Sequence, residues 1–97
     1  MSSTEFALGL MKVLSTKHFP LQRPRRKVKL DVLLKAVSRF GCDTSEDNAY
    51  QTLNELKGKG LANTDPKILM REELATAEFE IWLTPLGRTE LQKLLAT

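Results

Sequence analysis

The sequence predicts a mainly α-helical protein with one small β-hairpin, folded as a single domain. Apolar residues recur three and four positions apart over most of the chain, which is the period of an amphipathic helix. Over residues 78–84 the period changes to two, as in a half-buried strand. The length of 97 residues leaves room for one domain, and 41% hydrophobic with 28% charged residues is ordinary for a globular protein.

The first helix is predicted over residues 4–16. Ser2 and Glu5 have the spacing of a capping box, and apolar side chains follow at helical intervals. Prolines end this helix, because proline lacks the amide hydrogen that a helix needs. They leave an extended linker over residues 17–27.

Two further helices are predicted after a very short strand at residues 28–30. The second helix starts at Asp31 and ends before Gly41, a typical C-terminal stop. The third spans residues 45–59, with Thr44 or Ser45 as its N-cap. One apolar stripe on each helix forms its predicted buried face: Leu30, Leu33, Leu34, Val37 and Phe40 on the second, and Ala49, Leu53 and Leu56 on the third. Two such helices joined by a short turn form a helix-turn-helix pattern.

The hairpin and the last helix complete the prediction. The alternating strand over 78–84 faces inward with its apolar residues, and residues 67–70 are its predicted partner. The loop between these strands is expected over 71–77. Thr84 as N-cap and Pro85 in the first turn start the last helix.

A resemblance to a known family rests on the order of these elements. The third helix reads Tyr50-x-x-Leu53-x-x-Leu56-x-x-x-Gly60-Leu61, and the chain leaves the hairpin as Leu83-Thr84-Pro85-Leu86-Gly87-Arg88. Over roughly residues 28–97 this resembles the winged helix-turn-helix regulators of the PadR-like and MarR-like kind. The resemblance implies a three-helix core, a two-stranded wing and a C-terminal helix in a dimeric regulator that binds double-stranded DNA. The expected divisions are an N-terminal helix and basic linker (1–27), a helix-turn-helix (28–61), a wing (62–84) and a C-terminal helix (85–97).

The charges are distributed unevenly along the chain. Residues 1–40 carry a net charge of +7 and residues 41–97 a net charge of −4, within an overall +3. This asymmetry suggests an anionic partner, and the segment Arg23-Pro24-Arg25-Arg26-Lys27 resembles a basic arm that follows phosphates or enters a minor groove. The alternative is a solvated, solubilising linker.

The outward face of the third helix is the predicted reading surface. At 100° per residue, Gln51 and Asn54 lie opposite the buried stripe, and their amides suit the donor and acceptor pair of adenine. The alternative is that both side chains are merely solvated. The predicted DNA-binding residues are Arg23, Arg25, Arg26, Lys27, Ser45, Asn48, Gln51, Thr52, Asn54, Lys57 and Lys59.

Two features favour a protein partner instead of DNA. Glu46 and Asp47 suit a helix N-terminus, but they would face phosphates if that end entered a groove. The expected wing tip, residues 71–77, offers one cation and two carboxylates where a DNA-gripping wing usually offers Lys or Arg. The alternative function is a protein-interaction module that docks a protein partner at this acidic wing, without DNA binding.

A homodimer through the terminal helices is expected, because a core of this size should not bury both of their apolar stripes. The predicted interface residues are Phe6, Leu10, Leu91, Leu94 and Leu95. Trp82, on the polar side of its strand, is expected either to be covered by a flanking helix or to anchor a partner.

An enzyme is not expected, and neither is a catalytic residue or a cofactor. The chain has no glycine-rich phosphate loop and no arrangement that suggests a Ser-His-Asp or Cys-His pair. The single cysteine, Cys42, and the single histidine, His18, cannot build a four-ligand zinc site, so no metal is expected. With no signal peptide and no apolar run of membrane length, a cytoplasmic protein without a membrane partner is expected, associated with the nucleoid when bound to DNA.

Overall fold

The computed structural model describes residues 3–22, 24–41, 45–67 and 70–96. The elements follow in the order α1 (Ser3–Leu14), α2 (Leu30–Ser38), α3 (Glu46–Gly58), β1 (Ala62–Asp65), α4 (Arg71–Thr76), β2 (Glu80–Leu83) and α5 (Pro85–Ala96). The two strands form an antiparallel sheet. A mainly helical fold with a small β element is therefore confirmed. None of the helices in the described ranges is long and apolar enough to cross a bilayer.

Helix α1 lies at the centre of the core. It contacts α2, α3, α5 and β2, and Phe6 and Leu10 are each only 1% exposed. The expectation that these side chains are exposed for dimerisation is wrong, because three helices and a strand close around α1 within one chain. Leu91, another expected interface residue, is also buried, whereas Leu94 and Leu95 on the same helix are exposed.

Helices α2 and α3 largely follow the predicted pattern. The Ser45 hydroxyl caps α3 by accepting from the Asn48 amide at 3.2 Å, and Ala49, Leu53 and Leu56 are buried as predicted. Thr44 and Ser2, the other predicted capping residues, lie outside the described residues. Phe40 is half exposed, contrary to the predicted stripe, because α2 ends at Ser38.

The predicted partner of the alternating strand is wrong. Strand β2 pairs with β1, in a register that places Ala62 opposite Leu83 and Asp65 opposite Glu80. β1 precedes residues 67–70, and Ile68 and Leu69 in that predicted strand lie outside the described residues. The alternation of buried and exposed residues in β1 is difficult to recognise in the sequence, since its two inward side chains are the small Ala62 and Thr64. Val28 adds one bridge to Phe79, so the predicted strand at 28–30 is reduced to a single paired residue.

The predicted hairpin loop over 71–77 is a helix instead. Helix α4 packs against α2 and α3, and Leu74 is completely buried beneath it. The side chain of Leu74 anchors this segment in the core. The sequence has no helical periodicity there that would predict α4. The expected acidic wing tip is therefore folded back on the helices rather than extended from the sheet.

The start of α5 is fixed by hydrogen bonds to the turn that follows α3. The Thr84 hydroxyl donates to the Gly60 carbonyl at 2.5 Å and accepts from the Gly87 amide at 3.0 Å, which confirms Thr84 as the N-cap. The Thr84 amide also donates to the Leu61 carbonyl at 3.1 Å. The Thr-Pro-x-Gly sequence thus joins the last helix to the turn that follows α3.

Candidate nucleic-acid interface

The outward face of α3 carries the two predicted base-reading amides. Gln51 and Asn54 are exposed, opposite the buried Ala49 and Leu53, as the helical period predicts. Ser45 is the N-cap of α3, and its hydroxyl oxygen accepts the hydrogen bond from the Asn48 amide. Asn48 is half-buried one turn further along.

Thr52 does not belong to this face. Its side chain is 1% exposed, and its hydroxyl has no hydrogen-bond partner among the described residues. The predicted DNA contact of Thr52 is therefore wrong, because the residue turns toward the same side of α3 as Ala49 and Leu53. The hydroxyl is a polar group buried in the core, not a contact for a partner.

A groove of about 360 Å³ runs beside α3, between this helix and the segment that follows β1. Asn54 and Lys57 line it from α3, and Asn63 and Lys67 line it from the sheet and the following segment. Among the described residues, none that lines the groove carries a carboxylate. The Lys57 ammonium donates to the Lys67 carbonyl oxygen. Partial burial and the neighbouring charge of Lys67 both lower the pKa of Lys57.

Two carboxylates at the N-terminus of α3 are paired with a cation from α4. Arg71 donates to Asp47 at 2.8 Å and to Glu46 at 3.1 Å. The hydrogen bond to Asp47 is the main cause that raises the pKa of Arg71, and the bond to Glu46 adds to it. One of the two negative charges that argued against a DNA-facing helix is thus offset by Arg71, a residue of the expected wing tip.

The outer face of the sheet connects this groove to the linker. Asn63 lies opposite Trp82 in the sheet register, and both are partly exposed, while Ala62 and Ile81 point inward. The Arg25 guanidinium stacks over the Trp82 ring at 3.6 Å from its centroid. Trp82 is therefore covered by a linker arginine rather than by the flanking helix that the sequence suggested.

Arg25 is held in place by the linker itself. Its Nη2 donates to the Leu21 carbonyl at 2.6 Å, and its Nε lies 3.2 Å from the carbonyls of both Pro20 and Leu21. The guanidinium thus has an aromatic face and two backbone acceptors as partners. Together these contacts hold the linker against the outer face of the sheet.

The described cations of the predicted basic arm line three neighbouring cavities. Arg25 and Lys27 line a cavity of about 650 Å³ together with three carboxylates, those of Asp65, Glu78 and Glu80. Arg26 lines a pocket with Arg39, and it also lines a cavity of about 470 Å³ together with Arg25 and Lys17. Arg23 lies outside the described residues, as does Cys42. Contact of this segment with phosphates stays a prediction: Arg25 and Arg26 lie together beside Lys17, whereas Lys27 lies beside carboxylates.

Lys59, the last predicted cation, lines a groove together with Glu55 and Glu90. Of these two lysines, Lys57 is therefore the one whose groove has no carboxylate among its described lining residues. Sequence reasoning missed Asn63 and Lys67 as its neighbours, and no local signal identifies them, since the pairing of β1 with β2 brings them there.

No three His, Cys, Asp or Glu side chains in the described ranges are grouped so that they could hold a metal ion. No protein-family model, curated protein or solved structure matches this chain.

Proposed function

We propose that this chain is a winged helix-turn-helix protein that binds double-stranded DNA and regulates transcription or replication. The observation that carries the proposal is the groove lined by Asn54, Lys57, Asn63 and Lys67. It joins amides and cations beside the exposed face of α3, and no described residue of its lining carries a carboxylate. Amides that read base edges and cations that neutralise phosphates are the two kinds of contact that a major-groove helix needs.

In this arrangement α3 enters the major groove with Gln51 and Asn54 facing the bases. Lys57 and Lys67 then lie at one side of the helix, where the DNA backbone passes. Phosphate binding there would relieve the repulsion between the two ammonium groups, which is the charge effect that contributes to the lowered pKa of Lys57. Glu46 and Asp47 approach the DNA already paired with Arg71.

The test is the salt dependence of binding to a mixed-sequence duplex, followed by fluorescence anisotropy. Each phosphate contact contributes about 0.9 to the slope of log K against log salt, so the double variant K57Q/K67Q should flatten that slope by ~1.8. The matched control is Lys93→Gln, an exposed lysine near the end of α5, which should leave the slope unchanged. An unaltered slope in the double variant contradicts the proposed groove, and no binding at low salt contradicts DNA binding altogether.

The competing function is docking of a protein partner by α4. This short helix is anchored by the buried Leu74 and leaves the neighbouring carboxylates of Glu72 and Glu73 exposed. A surface of this kind suits a basic partner. It predicts that the double variant E72Q/E73Q weakens capture of a lysine-rich peptide, whereas the DNA proposal predicts no effect of this variant on duplex affinity beyond a small gain from reduced repulsion.

Homodimerisation is the second part of the proposal. With Phe6, Leu10 and Leu91 inside the core, the proposed interface is reduced to the exposed Leu94 and Leu95 near the end of α5. Sedimentation equilibrium should give a dimer mass for the native chain and a monomer mass for Leu94→Asp, because a buried unpaired carboxylate disfavours an apolar interface. A native monomer at tens of micromolar contradicts the dimer.

A further inference from the structure

Helix α2 has a second apolar face that the core leaves uncovered. Leu33 and Val37 point into the core, whereas Val32 and Ala36 lie on a different side, continued by Phe40 just after the helix end. Val32 is 52% exposed and Phe40 is 51% exposed. The hydrophobic core is built on the other face of α2 and does not use this second apolar stripe.

This face forms one wall of a pocket of about 410 Å³. The opposite wall comes from the end of α1 and the segments after it, where Val13 is buried and Phe19 and Val28 are partly buried against the core. The volume lies within the ~300–1,000 Å³ that is usual for small-molecule sites. The pocket is therefore large enough for one organic molecule of modest size.

The polar side chains around the pocket give it a definite charge. Arg26 comes from the linker, Arg39 comes from the end of α2, and His18 lies on the same lining. None of the described residues that line the pocket carries a carboxylate, and neither arginine forms an ion pair with a described residue. A guanidinium offers a fork of donors that matches a carboxylate, so two arginines beside an apolar cavity complement a molecule with an acidic head and an apolar body.

We propose that this pocket binds a small organic acid, with its apolar chain or ring against Val32, Ala36 and Phe40 and its carboxylate at the arginines. The apolar wall supplies the contact area, and Arg26 and Arg39 select the anion over a neutral molecule of the same shape. The site lies apart from the groove beside α3 and does not depend on DNA binding.

The test uses octanoate as the probe and isothermal titration calorimetry on the whole chain. 1-Octanol provides the same chain without the charge, and acetate provides the charge without the chain. Octanoate should bind with one-to-one stoichiometry and at least about tenfold more tightly than either, since a charge-assisted hydrogen bond and the buried chain both contribute. Equal affinity for octanoate and 1-octanol, or no binding of octanoate, overturns the proposal.

Variants locate the site. Arg26→Gln and Arg39→Gln should each weaken octanoate binding about tenfold, whereas Lys93→Gln on α5 should have no effect. Val32→Asp places a carboxylate in the apolar wall and should abolish binding, while Val32→Thr, of similar shape and without charge, should retain it. Both changes are at an exposed position, so circular dichroism should report an unaltered fold. Unchanged affinity in both arginine variants refutes the site.

Discussion

Gly87→Ala is the substitution whose effect on stability follows most directly from the structure. Gly87 lies in the first turn of α5, where the helix approaches the backbone of Leu61. A Cβ atom at this position would lie 1.9 Å from the Leu61 carbonyl oxygen, 2.9 Å from its carbon and 3.1 Å from a Leu83 methyl group. Contacts of a Cβ below 3.0 Å essentially never occur, so α5 and the Leu61 backbone must separate by about 1 Å.

The loss in the free energy of unfolding depends on the contacts that this separation disturbs. Overpacking in a core costs about 1–3 kcal/mol, and the 3.1 Å hydrogen bond from the Thr84 amide to Leu61 is worth roughly 1 kcal/mol. Alanine regains about 1 kcal/mol from its higher helix propensity. The net loss is about 2 kcal/mol, which lowers the Tm of a domain of this size by roughly 8–16 °C.

The assay is thermal and urea denaturation followed by circular dichroism. Gly58→Ala is the matched control, because Gly58 is also helical but nothing lies within 4 Å of its added Cβ. This control should leave stability unchanged or raise it by up to about 1 kcal/mol. If the two variants melt at the same temperature, the close approach of α5 to Leu61 does not limit stability, and the reasoning is refuted.

Three further predictions test the contacts around the proposed interface. Thr52→Val should stabilise the chain by about 1 kcal/mol in urea denaturation and leave duplex affinity unchanged, because it removes a buried hydroxyl that has no described partner. Arg25→Ala should shift the fluorescence emission of Trp82, the single tryptophan, and lower stability by about 1 kcal/mol, whereas unaltered emission contradicts the stacking. Arg71→Gln should lower the Tm at low salt and by less at high salt, since its pairs with Glu46 and Asp47 are screened; a salt-independent change contradicts this origin.

Local chemistry in the sequence determined where most helices lie. The three- and four-residue spacing of Ala49, Leu53 and Leu56 defined α3 and the direction of its outward face, because a helix turns by 100° per residue whatever surrounds it. Ser45 and Thr84 marked helix starts for a similar reason, since a capping hydroxyl binds backbone groups two or three residues away. Such short-range signals need no knowledge of the rest of the chain.

The tertiary structure alone decided which surfaces meet. The pairing of β1 with β2 placed Asn63 opposite Trp82 and brought Lys67 to Lys57, and burial of Leu74 turned an expected loop into α4. These contacts join residues far apart in sequence, and their free energy depends on apolar area that is removed from water only when all the elements pack together. For the same reason an amphipathic stripe shows that a helix has a face to bury, while the packing of the whole chain decides whether that face meets the core, as in α1, or stays exposed, as on the second side of α2.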